Sequence, residues 1–237
     1  MTTDVLRIER RDPVMVLHLD DGKANALTFD LIAAVEQAVR DAESDDAIGA
    51  VVVHGRAGRF SAGFDLAVMT GDDLDAIIAL VADGGQLVRT LFGAGVPVVA
   101  ACTGHALAAG ALLLLGCDVR IGADIDAKIG LNEVAIRMVL PDWAFTIATE
   151  RLSKRHLQRA VATARLTTPR DAVDVGFLDE VVPASDLLDR AIAVAAELAS
   201  TLDASAYRRT IAELRGGVLD TMAAQVAADR AAGSSPV

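Results

Sequence analysis

Aromatic residues make up only 3% of this chain, with one Trp, one Tyr and six Phe in 237 residues. So few flat side chains leave little on which nucleobases could stack. Positive charge is also scarce: 22 Lys and Arg stand against 33 Asp and Glu, a net charge of −11. That balance argues against a nucleic-acid partner and means that an anionic ligand must be met by local basic residues. Two cysteines, Cys102 and Cys117, are too few for a disulfide framework, and the four histidines (His18, His54, His105, His156) lie far apart, so no metal site is predicted. Long apolar runs are missing as well. The longest, residues 106–116 (ALAAGALLLLG), is about half of a bilayer span, so no membrane span is predicted and the run reads as a buried helix. The opening residues, MTTDVLRIERRD, carry charges where a signal peptide needs an apolar stretch, which points to the cytoplasm.

What is present is material for a core, since 53% of the residues are hydrophobic and the length suits one large domain. VLRIERR and VMVLHLD alternate apolar and polar side chains around Pro13 and predict an antiparallel hairpin. Thr28 is placed to cap a helix over FDLIAAVEQAVRDAES, and IGAVVVHG then reads as a buried strand. The strand and helix alternation returns in VPVVAACTG, ALAAGALLLLGCD and VRIGAD, which predicts an α/β fold. TPRDAVDVGFLDEVV predicts a turn, a helix and a short strand. Residues 183–232 are helical in pattern, and 233–237 (GSSPV) read as a frayed tail. The division expected is a core over residues 1–185 and a helical region over 186–237. Periodicity leaves open whether the Ala-rich C-terminal helices cover that core or a neighbouring subunit.

Two small-residue turns interrupt the strands. In RFSAGFDLAVM, residues 59–69, Ser61, Ala62 and Gly63 let a ligand approach the backbone before a helix begins near Asp65. In TGHALAAGALLLL a helix starts near Ala109. Unpaired N–H groups at two such helix starts could converge on one negative charge as an oxyanion hole; the plainer alternative is two packing turns. Neither turn carries the G-x-G-x-x-G pattern of a dinucleotide site. His105, beside Gly104, is assigned a structural role. A third feature is Glu133 in IGLNEVAIRMVLPDW, with no basic residue nearer than Lys128 and Arg137. Either it faces water on an amphipathic segment, or it is buried and its raised pKa suits it to act as a general base.

Taken in order, residues 59–69, VVAACTGHALAAGALLLLGCDVRIGAD, IGLNE and TPRDAVDVGFLDEVV resemble the crotonase, or enoyl-CoA hydratase/isomerase, superfamily over roughly residues 4–185. The resemblance implies a spiral of ββα units with a C-terminal helical region, assembled as a homotrimer or homohexamer. It also implies an acyl-CoA substrate, coenzyme A entering as part of the thioester and not as a separate cofactor. By the same resemblance the oxyanion donors are the backbone N–H groups of Phe64 and Ala109, the latter where the family usually has Gly. Asp65 matches the acidic residue after the loop, with capping the favoured role. Lys23, Arg56 and Arg59 are candidate phosphate partners, with solvated surface charge as the alternative. Backbone around Ala24, Ala26 and Ala62 would meet the adenine. Leu66, Met69, Leu112 and Trp143 would line the acyl pocket, Trp143 being equally readable as a core residue.

Hydratases of this superfamily use two glutamates, and here the first position is Leu112. With Glu133 alone, the chain is more similar to the Δ3,Δ2-enoyl-CoA isomerases, a likeness that GLNE followed by Pro141 and Trp143 strengthens. The alternatives are a hydratase in which Asp142 replaces the missing carboxylate, and a non-catalytic acyl-CoA binder.

Overall fold

The computed structural model describes residues 5–233. The predicted hairpin forms, β1 (Leu6–Arg11) running antiparallel to β2 (Val14–Leu19) with Leu6 opposite Leu19 and Arg11 opposite Val14. A short β3 (Ala26–Leu27) leads into α1 (Phe29–Ser44), where the Thr28 hydroxyl accepts from the Leu31 N–H at 3.1 Å. Leu31, Ile32, Val35, Ala38, Val39 and Ala42 recur at helical spacing and form its buried face. Then come β4 (Ala50–His54), β5 (Gly58–Ser61) and β6 (Gly63–Phe64).

The helix expected near Asp65 is a single turn, α2 (Leu66–Met69), and the long α3 (Leu74–Phe92) that follows was not foreseen. Paired glycines inside a helix weaken it, and Gly84 and Gly85 hide α3 in the sequence. Their purpose is contact: a side chain on Gly84 would collide with the Phe64 ring, and one on Gly85 with the Trp143 indole. The chain continues through β7 (Val98–Cys102), β8 (Gly104–Leu107), α4 (Ala109–Leu115), β9 (Val119–Ala123) and β10 (Ile129–Gly130). After a 3-10 turn at Val134–Ile136 come α5 (Asp142–Arg151), α6 (Lys154–Val161), α7 (Pro169–Val175) and β11 (Glu180–Val182). Two helices close the chain, α8 (Leu187–Thr201) and α9 (Ala204–Gly233); the expected tail lies, beyond residue 233, outside the described residues.

Six strands form the main sheet in the order β1-β2-β4-β7-β9-β11, all pairs parallel after the hairpin. Both its faces are covered, which is why β4 and β7 read as nearly unbroken apolar runs. Leu187, Ala191 and Ala195 of α8 cover one face against Val16, Val52, Val99 and Ile121. The other face belongs to a larger core, over which α9 lies along α3 and α5 with Met222 and Val226 buried. The C-terminal helices therefore cover the core of their own chain. Arg215 fastens α9: its guanidinium sits 4.4 Å from the Phe92 ring centroid and donates at 2.7 Å to both the Phe92 carbonyl and the Asp118 carboxylate. Among the described residues no helix is long and apolar enough to cross a membrane.

Candidate active site

The site is built by a second, smaller sheet, which holds β10, β8 and β5 in that order, all parallel. Parallel strands bring their C-terminal ends to one edge, the usual place for ligands in open α/β sheets. Here those ends release Ala62-Gly63-Phe64, Ala108-Ala109 and Asn132-Glu133, so the two small-residue turns and the lone glutamate found in the sequence arrive together.

The turns touch. A methyl on Gly63, whose φ is +95°, would lie 3.1 Å from the Leu107 carbonyl and 3.3 Å from the Ala109 nitrogen. Gly110 packs directly on Ser61, where any side chain would collide with the Ser61 backbone. Ala108 has φ 50° and ψ −125°, a conformation suited to glycine, which costs about 1–3 kcal/mol and is held by its N–H bonding the Gly130 carbonyl at 3.0 Å. That strained residue opens α4, so the Ala109 N–H is one of the helix-start donors without an intrahelical acceptor. Phe64 is fixed from the other side by its ring on Gly84, while neighbouring Ala62 and Asp65 N–H groups bond the Ala24 and Leu27 carbonyls. Asp65 caps α2, its carboxylate accepting from the Ala67 N–H at 2.9 Å.

Glu133 leaves β10 and begins the 3-10 turn, its carbonyl accepting from the Ile136 and Met138 N–H groups. Its side chain points inward, leaving the residue only 7% exposed, and Oε2 has no hydrogen-bond partner. Burial raises the carboxyl pKa from 4.5 to about 7, opposed only by its own backbone N–H. Meanwhile the apolar residues after it face outward, Val139 being 83% exposed. Of the two readings of this segment, the water-facing carboxylate is therefore the incorrect one.

The other expected site residues divide. Ala24, Arg59 and Ala62 line a cleft of about 220 Å³, together with His105, Leu107 and Lys128. Ala26 pairs with Gly63 beside it. Arg56 is engaged elsewhere, donating to the Lys23 carbonyl at 2.8 Å and pairing with Asp20 at 3.2 Å, so that it braces the loop on which Lys23 stands exposed. Leu66 is 70% exposed on α2 and Met69 is half-buried. Leu112 and Trp143 are fully buried in the main core, Trp143 wedged against Gly85 near Val226, its Nε1 without a partner. Two cleft residues escaped the sequence reading. Lys128 stood out only as a neighbour of Glu133, and His105 was assigned to structure; only the pairing of separate strands reveals what they share. Among the described residues no group of three His, Cys, Asp or Glu side chains is placed to hold a metal ion. The two cysteine thiols are buried, which pushes both up to about 12.

Residues 9–236 match the enoyl-CoA hydratase/isomerase family. Among solved structures, an enoyl-CoA hydratase/isomerase family protein from Pseudomonas syringae is similar at TM-score 0.91 and 41% identity, over 96% of this chain and 97% of that one. An enoyl-CoA isomerase of Mycobacterium tuberculosis is similar at TM-score 0.90 and 35% identity, over 96% and 98%. A probable enoyl-CoA hydratase of Mycobacterium tuberculosis is 32% identical over 88% of this chain and 80% of its own length. With nearly the whole chain matched and the glycine-built turns in place, this protein belongs to the enoyl-CoA hydratase/isomerase family and is an enzyme of the crotonase fold.

Proposed function

We propose that this enzyme is an enoyl-CoA isomerase that moves a double bond from position 3 to position 2 of an unsaturated fatty acyl-CoA. The observation that carries the reading is a single buried carboxylate, Glu133, whose Oε2 has no hydrogen-bond partner, in a chain whose α4 supplies Leu112 and no second acid. The Glu133 carboxylate removes a proton from C2, and the electron pair moves through the thioester and the C3–C4 double bond to give a dienolate. The negative charge on the thioester oxygen is met by the N–H groups of Phe64 and Ala109, each worth on the order of 3 kcal/mol in the transition state. The protonated Glu133 then returns its proton to C4, which leaves the double bond between C2 and C3 and the carboxylate regenerated. A pKa near 7 suits both halves of that cycle, since the group accepts and releases a proton near neutral pH. The methyl of Ala109 narrows the approach to the oxyanion turn.

Hydration of a 2-enoyl thioester needs one group to activate water and another to protonate C2, and the names of the relatives include hydratases. Asp142 is the candidate for that second group, and it stands exposed at the start of α5 beside Asp229. Incubation with 3-enoyl-CoA should yield 2-enoyl-CoA, whereas incubation with 2-enoyl-CoA should yield little 3-hydroxyacyl-CoA; the reverse result would make the enzyme a hydratase. A cytoplasmic homotrimer or homohexamer belongs to the same proposal, with sedimentation analysis as its test.

A further inference from the structure

Ala108 touches all three parts of the site. Its N–H donates to the Gly130 carbonyl at 3.0 Å, on the strand that leads to Glu133. Its carbonyl accepts from the Ala111 and Leu112 N–H groups at 2.9 and 3.1 Å and so starts α4. Its methyl faces the other turn: a β-carbon placed on Gly63 would stand 3.2 Å from the β-carbon of Ala108. The methyl therefore lies between the two turns, beside the residue whose carbonyl carbon carries the Phe64 nitrogen.

The same residue aims the second donor. Rotation about ψ of residue 108 turns the next peptide unit as one plane, and that unit carries the Ala109 N–H. At φ 50° and ψ −125° an alanine is strained, whereas a glycine is not. The backbone bonds of residue 108 would survive replacement by glycine, so the contact with Gly63 is what the methyl adds. A side chain that costs folding stability, and whose contact lies between two groups that must share one oxygen, has the form of a spacer. We propose that Ala108 is a positioning residue whose methyl sets the separation of the Phe64 and Ala109 N–H groups. The inference rests on the oxyanion role of those two groups. Without the methyl, Gly63 and residue 108 close into the space it leaves, and displaced donors no longer meet the developing charge together.

Ala108→Gly tests the spacer, because its two expected effects run in opposite directions. Relief of strain outweighs the extra backbone entropy that glycine loses on folding, so the variant should melt about 2–4 °C higher. Its kcat for 3-enoyl-CoA should nevertheless fall about tenfold with KM unchanged, as when an interaction made only in the transition state is lost. Ala108→Ser returns a β-carbon to the contact and should recover most of that turnover. Infrared spectroscopy of a bound saturated acyl-CoA reads the donors themselves, since N–H groups on the thioester oxygen lower its carbonyl stretch. Wild type and Ala108→Ser should lower the stretch more than Ala108→Gly does. Full turnover in Ala108→Gly, or a loss of turnover together with a lower melting temperature, would overturn the spacer. A stretch lowered equally in wild type and Ala108→Gly would do the same and leave the isomerase reading standing. A wild type that leaves the stretch at its free value would remove the oxyanion role on which both rest.

Discussion

Helix α1 and the turn that starts at Glu133 treat their side chains in opposite ways. In α1 the apolar residues at helical spacing face the core and the charged ones face water. In the turn Val134, Ile136, Met138 and Val139 face outward, and the one carboxylate faces in. Burying an aliphatic side chain stabilises by about 1.5–3 kcal/mol, so α1 orients itself by its own sequence. The turn is too short to choose. Its orientation is set from outside, by the pairing of β10 with β8, while the Ile136 and Met138 N–H groups on the Glu133 carbonyl close the turn itself. The difference separates a segment shaped by stability from one whose stability is spent on a reactive group.

Substitutions should divide along the same line. The largest effect is expected in α1: Leu31→Ala removes a fully buried side chain and should cost about 2–5 kcal/mol, read from denaturant unfolding. Next comes Glu133→Gln, with the opposite sign. The folded pKa of Glu133, about 7, lies above the model-compound value of 4.5, so its contribution is fully present below pH 4.5 and is lost as the pH rises through 7. The wild type should therefore lose about 3 kcal/mol relative to Glu133→Gln between those limits, measured as unfolding free energy against pH. Equal pH dependence in the two proteins would place the carboxylate in water and erase the contrast with α1. Smallest is Val139→Ser on the exposed side of the turn, expected within about 0.5 kcal/mol of wild type. A larger loss in dilute monomer would mean that this side chain contributes packing its exposure does not account for.

What the sequence makes legible follows from how local each signal is. The hairpin, α1 with its Thr28 cap and the strands β4, β7 and β9 are written in short-range alternation and helical spacing, and they form where expected. The smaller sheet is not legible in this way. β10 has two residues and β5 four, with no periodicity to read, and they exist because they pair with β8 across long stretches of chain. Gly84 and Gly85 read as helix breakers, although they are contact points for Phe64 and Trp143. The inward turn of Glu133 could not be settled from its neighbours, which allow a water-facing or a buried carboxylate; the order of motifs along the chain pointed to it. Arg59, His105 and Lys128 meet at one cleft through strand register, which no single segment contains.

The central claim is that Glu133 is the buried base of the isomerase, and turnover of 3-enoyl-CoA by wild type and Glu133→Gln across pH tests it most directly. Glutamine keeps the shape and cannot take the C2 proton, so the variant should retain acyl-CoA affinity and lose at least roughly 10²-fold in kcat. Wild-type turnover should rise with pH through about 7 as the carboxylate ionises. A Glu133→Gln enzyme with full turnover, or a wild-type rate that does not change through that range, would contradict the account.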